Sequence, residues 1–138
     1  MLWSDGGHKD VWNARYSPNG NRAAAVGADG VLSVYEAKTG RVLYRVYAPK
    51  KTPLHALDWS PDGTLLAAGG GDKNVYVYNA ANGALYDTLV GHKTSVSAVA
   101  WSVDSRTLAT AAGGQRLSVA LLDTRVGPDD AIHLWTRK

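Results

Sequence analysis

Cysteine is absent from the 138 residues, which removes disulfide frameworks, thiolate metal sites and thiol nucleophiles from consideration. No stretch approaches the ~18 uninterrupted apolar residues of a membrane-spanning helix. The opening MLWSDGGHKD lacks the charged-then-apolar build of a secretory signal. These absences create the expectation of a soluble, untargeted, cytoplasmic chain with no membrane partner. Basic residues never run beyond the pair Lys50 and Lys51, and the net charge is only +3. Nucleic acid is therefore a secondary class of partner, not the favoured one. The motifs GxSxG, GxxxxGKS, GxGxxG and HExxH are all missing. Gly69 to Gly71 precede an Asp turn between strands rather than a helix N-terminus, so a phosphate cradle has no footing. No helix of useful length is evident.

What the chain has instead is repetition. The phrase VWNARYSPNG ending at Gly20 returns as LHALDWSPDG ending at Gly63 and as VSAVAWSVDS ending at Ser105, spacings of 43 and 42 residues. A fixed period in this range marks an array of one supersecondary unit. The composition, 45% hydrophobic and 20% charged with 15 glycines, is that of a folded chain.

Each unit opens with apolar residues near period two: Val11, Ala14 and Tyr16, then Leu54, Leu57 and Trp59, then Val96, Val99 and Trp101. These predict strands half buried against a neighbour. SPNG and SPDG end the first two, Pro presetting the turn and Gly accepting a positive φ. SVDS has lost both residues and is expected to make a looser turn. Second strands follow at 22–26, 65–68 and 107–111, rich in small residues suited to a crowded position. Asp/Gly turns at 28–30 and 71–74 lead into the β-rich VLSVY and NVYVY. A fourth segment follows at 41–47 and 84–90. Four antiparallel strands per repeat is the content of one propeller blade.

These residues resemble WD40 repeats. The third copy carries the likeness best, with Gly91 and His92, AWS at 100–102 and DDAIHLW at 129–135; the first has Gly7 and His8. The resemblance implies an all-β fold of WD40-type β-propeller blades, one domain over 1–138 with three four-stranded repeats at about 7–48, 49–90 and 91–138. It also implies a hydrogen-bonded chain inside each blade: His before the first strand, Ser or Thr on the second, Asp in the next turn, Trp on the third. Buried polar groups need such partners. By position the third unit supplies His92, Thr110, Asp129 and Trp135. The first supplies His8, Asp29 and Tyr35 with Ala25 in place of the hydroxyl, and the second only Asp72 and Tyr78. The second blade is accordingly expected to be the least rigid.

Aligning the third copy on the second leaves an insertion at about 114–128 before DDAIHLW. A rival register makes LSVALLD at 117–123 the third strand and AIHLW the fourth; the first register keeps Asp129 and Trp135 in the motif and is preferred. The chain then ends one strand short of a complete third blade, while residues 1–3 stand where the tail of a fourth strand would precede His8. Three blades are too few for a ring, since propellers hold ~4 to 8, and wedge-shaped terminal repeats leave apolar flanks open. Three routes answer this: a homo-oligomer, a complementing propeller chain, or a longer protein of which this is a part.

No residue set points to catalysis. His55 and His133 stand alone in strands without a second ligand at metal spacing. Asp29, Asp72 and Asp129 repeat as architecture, and Asp62 and Asp104 fall in turns. Asp58 has no repeat equivalent and is expected to be a rim or channel residue held by a neighbouring Lys. The expected function is a non-catalytic scaffold, without cofactor or metal, that binds protein partners through the loops before the first strand and after the second. The matching positions are Trp12, Lys50, Lys51, His55, Lys73 and Arg116. Trp12 is the sharpest candidate because its counterparts, His55 and Ser97, show that the blade does not require an indole. An RNA-associated propeller, with the lysines on phosphates, is the alternative. A weaker resemblance, carried by GDKNVYVYNAANG and AWSVDSRTLAT, is to the last blades of actin-interacting WD proteins, which would imply an actin-regulatory role.

Overall fold

The computed structural model describes residues 6, 10–113 and 132–136, with Ile132 and His133 described by backbone alone. His8, Arg116, Asp129 and the 114–128 insertion lie outside the described residues. Eleven strands are described: β1 Val11–Tyr16, β2 Arg22–Gly27, β3 Val31–Glu36, β4 Val42–Tyr47, β5 Leu54–Trp59, β6 Leu65–Gly70, β7 Val75–Asn79, β8 Leu85–Leu89, β9 Val96–Trp101, β10 Thr107–Ala112 and β11 Ile132–Thr136. They form two four-stranded antiparallel sheets, β1-β2-β3-β4 and β5-β6-β7-β8, and a three-stranded sheet in which β10 lies between β9 and β11. The one helical feature among the described residues is the 3₁₀ turn Pro49–Lys51.

The third sheet settles the register after residue 112. Leu108 pairs with Trp135 and Thr110 with His133, so Ile132–Thr136 is the third strand of its sheet and Trp135 stands beside the second strand.

Period two decides which side of each sheet a residue serves. Leu66, Ala68, Tyr76 and Tyr78 of the second sheet pack with Ala24, Val26, Leu32 and Val34 of the first. The alternate residues Leu65, Ala67, Val75 and Val77 pack with Val96 and Leu108 of the third sheet, with Val99, Trp101 and Trp135 partly covered beside them. The second sheet is thus buried on both flanks, and every residue of β6 is buried. The innermost strands β1, β5 and β9 are neighbours in that order.

The half-buried expectation holds for β5 and not for β1. Leu54, Leu57 and Trp59 are covered, whereas Val11 is 50% exposed and Tyr16 69%. β5 has a sheet on either side and β1 only one, so equal sequence patterns bury unequally. The two are tied where the Trp59 indole donates to the Arg15 carbonyl at 3.1 Å.

The third turn keeps its shape without Pro or Gly. In all three, a Ser hydroxyl bonds the Asx two residues on: Ser17 to Asn19, Ser60 to Asp62 and Ser102 to Asp104, at 2.8, 2.6 and 2.6 Å. The same hydroxyl accepts the backbone N–H that opens or borders the next strand, from Arg22, Leu65 and Thr107. These bonds hold each turn from inside. Ser105 takes the left-handed conformation, φ 61°, that Gly20 and Gly63 take elsewhere. Its hydroxyl accepts the Asp62 N–H at 2.9 Å, which links the second and third turns. The expected loosening is therefore absent from the hydrogen bonding.

Candidate functional site: one rim across three sheets

In each innermost strand the pairing register slips by one residue at the same place. Val11 opposes Gly27 and Asn13 opposes Val26, leaving Trp12 extra. Leu54 opposes Gly70 and Ala56 opposes Gly69, leaving His55 extra. Val96 opposes Ala112 and Ala98 opposes Ala111, leaving Ser97 extra. A bulge frees one side chain from the ladder and re-aims it. In the first two sheets the close approach demands glycine on the partner strand: a Cβ on Gly70 would collide with the Pro53 carbonyl, and one on Gly27 with that of Asp10; the third has Ala112 at this place.

Trp12 and His55 stack, with ring centroids 4.7 Å apart and planes within 8°. The Asn13 amide donates to the His55 carbonyl at 3.3 Å. Trp12 remains 48% exposed, so its indole is not packed beneath a loop. On the far side of His55 a cleft of ≈ 360 Å³ is lined by Thr94, Ser95, Val96, Ser97 and Gly113. The rim thus runs from an aromatic pair to a hydroxyl-lined hollow, across all three sheets.

The lysines stand at the same end. Residues 49–53 wedge between the first two sheets: Ala48 N–H donates to the Gly30 carbonyl at 2.8 Å and Gly71 N–H to that of Pro53 at 2.9 Å. Lys50, Lys51 and Lys73 are exposed and left-handed, with φ of 66°, 52° and 74°. A non-Gly residue there costs roughly 1–3 kcal/mol, which the surrounding contacts must offset.

The polar network inside the blades takes three forms. In the third sheet His92 Nε2 lies 2.7 Å from the Thr110 hydroxyl, which also accepts the Trp135 indole N–H at 2.9 Å; Thr110 is 1% exposed. In the first sheet Asp29 accepts the Val31 N–H at 3.1 Å and Tyr35 is buried. The hydroxyl missing at Ala25 stands one strand over, at Ser33, which pairs with Ala25 in the ladder and accepts from Arg45 Nε at 3.1 Å. In the second sheet Asp72 does not serve Tyr78. Its carboxylate takes a short hydrogen bond from the Tyr76 hydroxyl and another from the Asn74 N–H, because Tyr76 lies one period nearer the turn. The Tyr78 hydroxyl is buried with no hydrogen-bond partner among the described residues; burial, then the neighbouring Tyr76 and Asp72, push it up to about 12.

Asp58 is an inter-sheet clasp, held by no Lys among the described residues. Its carboxylate accepts the Trp101 N–H at 2.8 Å, joining β5 to β9. Burial raises it above the ordinary carboxylate value, opposed by that hydrogen bond and by Arg15. The sequence marked it only as an acidic residue in an inner strand without a repeat equivalent, and carried no signal for its partner. Among the described residues, no group of three or more His, Asp or Glu side chains could hold a metal.

The geometry agrees with what the comparisons return. A model of the WD domain, G-beta repeat, matches residues 2–36, and one of the anaphase-promoting complex subunit 4 WD40 domain matches 44–104. The chain carries WD40 repeats. This WD40 chain is 37% identical over 67 residues to WD repeat-containing protein 1 of Bos taurus, covering 47% of this chain and 11% of that one. It is 29% identical over 125 residues to echinoderm microtubule-associated protein-like 1 of Homo sapiens, covering 81% and 15%. It therefore spans only about a tenth to a seventh of the length of these relatives. Among solved structures, the RRP9 WD40 repeats superpose with a TM-score of 0.73 at 21% identity, over 76% of this chain and 33% of that one, and U3-55K with 0.72 at 21%, over 76% and 34%. At such identity the likeness shows the fold, that of WD40 propeller blades.

Proposed function

We propose that this WD40 chain is a non-catalytic scaffold that docks protein partners on the rim holding Trp12 and His55, within a larger assembly. The carrying observation is the exposed Trp12–His55 stack, set by two bulges at positions where the third repeat has Ser97. A large, rigid aromatic on a stiff scaffold is the kind of anchor that dominates binding energy. The blade does not need it, so a partner is the reason to keep it wet. Replacement of Trp12 by Ala, followed by quantitative comparison of copurifying proteins, is expected to deplete a discrete set about tenfold; an unchanged set sinks the reading. The native particle mass distinguishes a homo-oligomer from a complementing propeller chain.

A second reading, an RNA-associated assembly, is favoured by the exposed Lys50, Lys51 and Lys73, none of which forms a salt bridge among the described residues. Binding through them would fall steeply with salt, in proportion to the number of phosphates neutralised.

A further inference from the structure

We infer that the rim recognises an acidic peptide segment carrying one apolar side chain, an inference that rests on the protein-docking reading above. Three observations bear on the chemistry. First, the loop 49–53 and the turn at 70–73 pack together and present Lys50, Lys51 and Lys73 to solvent in conformations fixed by their surroundings. The carboxylates of the adjoining turns are partly buried and hydrogen-bonded, Asp72 to Tyr76 and the Asn74 N–H and Asp29 to the Val31 N–H. The charges this loop and turn expose most fully are the three ammoniums, which favour carboxylates on a partner.

Second, the cleft beyond His55 is small. Its ≈ 360 Å³ is near the lower end of ~300–1,000 Å³ for small-ligand pockets, enough for one side chain with its flanking backbone. Val96 gives it an apolar floor, and the hydroxyls of Thr94, Ser95 and Ser97 can bond peptide amides.

Third, the aromatic pair is spent on itself. With planes within 8° at 4.7 Å, Trp12 and His55 each turn one face to the other. A single-stranded nucleic acid reads aromatic platforms by stacking successive bases on open faces, and this rim offers no such row. The exposed indole flank suits instead the aliphatic part of a peptide, with the lysines at the same end of the sheets for Asp and Glu.

Selection from a random library of 12-residue peptides on the whole chain tests this. The expected result is enrichment of Asp and Glu around a single Leu, Met or Ile. Affinity for a selected peptide should fall roughly tenfold in Trp12→Ala and in the triple variant Lys50→Glu, Lys51→Glu, Lys73→Glu, and weaken with rising salt. The urea midpoint of each variant, unchanged from the parent, shows that the loss is one of recognition; Trp12→Phe, which keeps a ring, serves as the milder change if Trp12→Ala does not fold. Neutral or basic peptides whose binding depends on Trp12 would overturn the acidic preference and leave the docking reading standing. Peptides whose binding is indifferent to both Trp12 and His55, or a 15-residue oligouridylate that binds through Trp12 where peptides do not, would overturn both.

Discussion

Where the third sheet has Thr110, the second has Ala68, and the two sheets hold themselves by different means. The third carries a buried polar chain, His92 to Thr110 to Trp135, although its Trp101 indole N–H is buried without a partner among the described residues. The second lacks the hydroxyl, leaves Tyr78 without a partner among the described residues, and is covered by apolar side chains on both flanks. A buried polar chain stiffens a sheet when all its members are satisfied, while close packing does so wherever neighbours exist. The comparison teaches that one repeat pattern admits either solution, and that place in the stack selects it.

The largest effect expected is from Leu66→Ala, which opens a cavity between the first two sheets and should cost about 2–5 kcal/mol, read as a lower urea midpoint. Thr110→Val should cost less, about 2–3 kcal/mol, by leaving the His92 and Trp135 ring nitrogens without their shared hydroxyl. If Thr110→Val proves neutral, the third sheet is held by packing like the second and the contrast collapses. Hydrogen exchange sharpens the same point. β6 and β7 should exchange most slowly of all, against the expectation that a depleted network makes the second blade least rigid; faster exchange there than in β9 and β10 restores that expectation.

Alkaline titration separates the sheets through their tyrosines. The phenols of Tyr78 and Tyr44 are pushed up to about 12, in both cases chiefly by burial, so the folded state holds their protons longer than the unfolded chain does. Their contribution is complete below the ordinary value of about 10 and is lost as pH rises from there through about 12. Tyr78→Phe should flatten part of that fall and, by removing a partnerless hydroxyl, leave stability at neutral pH unchanged or raise it by up to about 1 kcal/mol. The smallest effect is expected of Asp58→Asn. Burial raises the Asp58 carboxyl, so its stabilising contribution is fullest below the ordinary carboxylate range and is lost as pH rises through the raised value. Asn keeps an acceptor for the Trp101 N–H and removes the buried charge, so the change at pH 7 should stay within about 1 kcal/mol. Asp58→Leu orphans that N–H and should cost more.

Much of the fold was legible because repetition multiplies weak signals. One SPDG or one VYVY is ambiguous; three copies in phase are not, and strand ends moved by only a residue or two. The rim was legible in part for the same reason: Trp12 stood out against His55 and Ser97 as a residue the pattern did not demand. What escaped was contact between copies. Nothing local says that Trp12 would lie flat on His55, 43 residues away, that Asp58 would clasp Trp101, or that Ser33 would supply the hydroxyl absent at Ala25. The turn at 102–105 misled because Pro and Gly are the familiar markers, whereas the Ser and Asx two apart made the hydrogen bonds in every copy.

Local chemistry therefore determined the strands, the turns and the phase of the repeat, since alternation and turn residues act over a few neighbours and survive in any context. The tertiary arrangement alone decided which copy is buried on both flanks, which leaves β1 open, and which ring each bulged residue meets. Those outcomes depend on what lies across a gap from another part of the chain, and the free energy of burial and stacking belongs to the pair rather than to either residue.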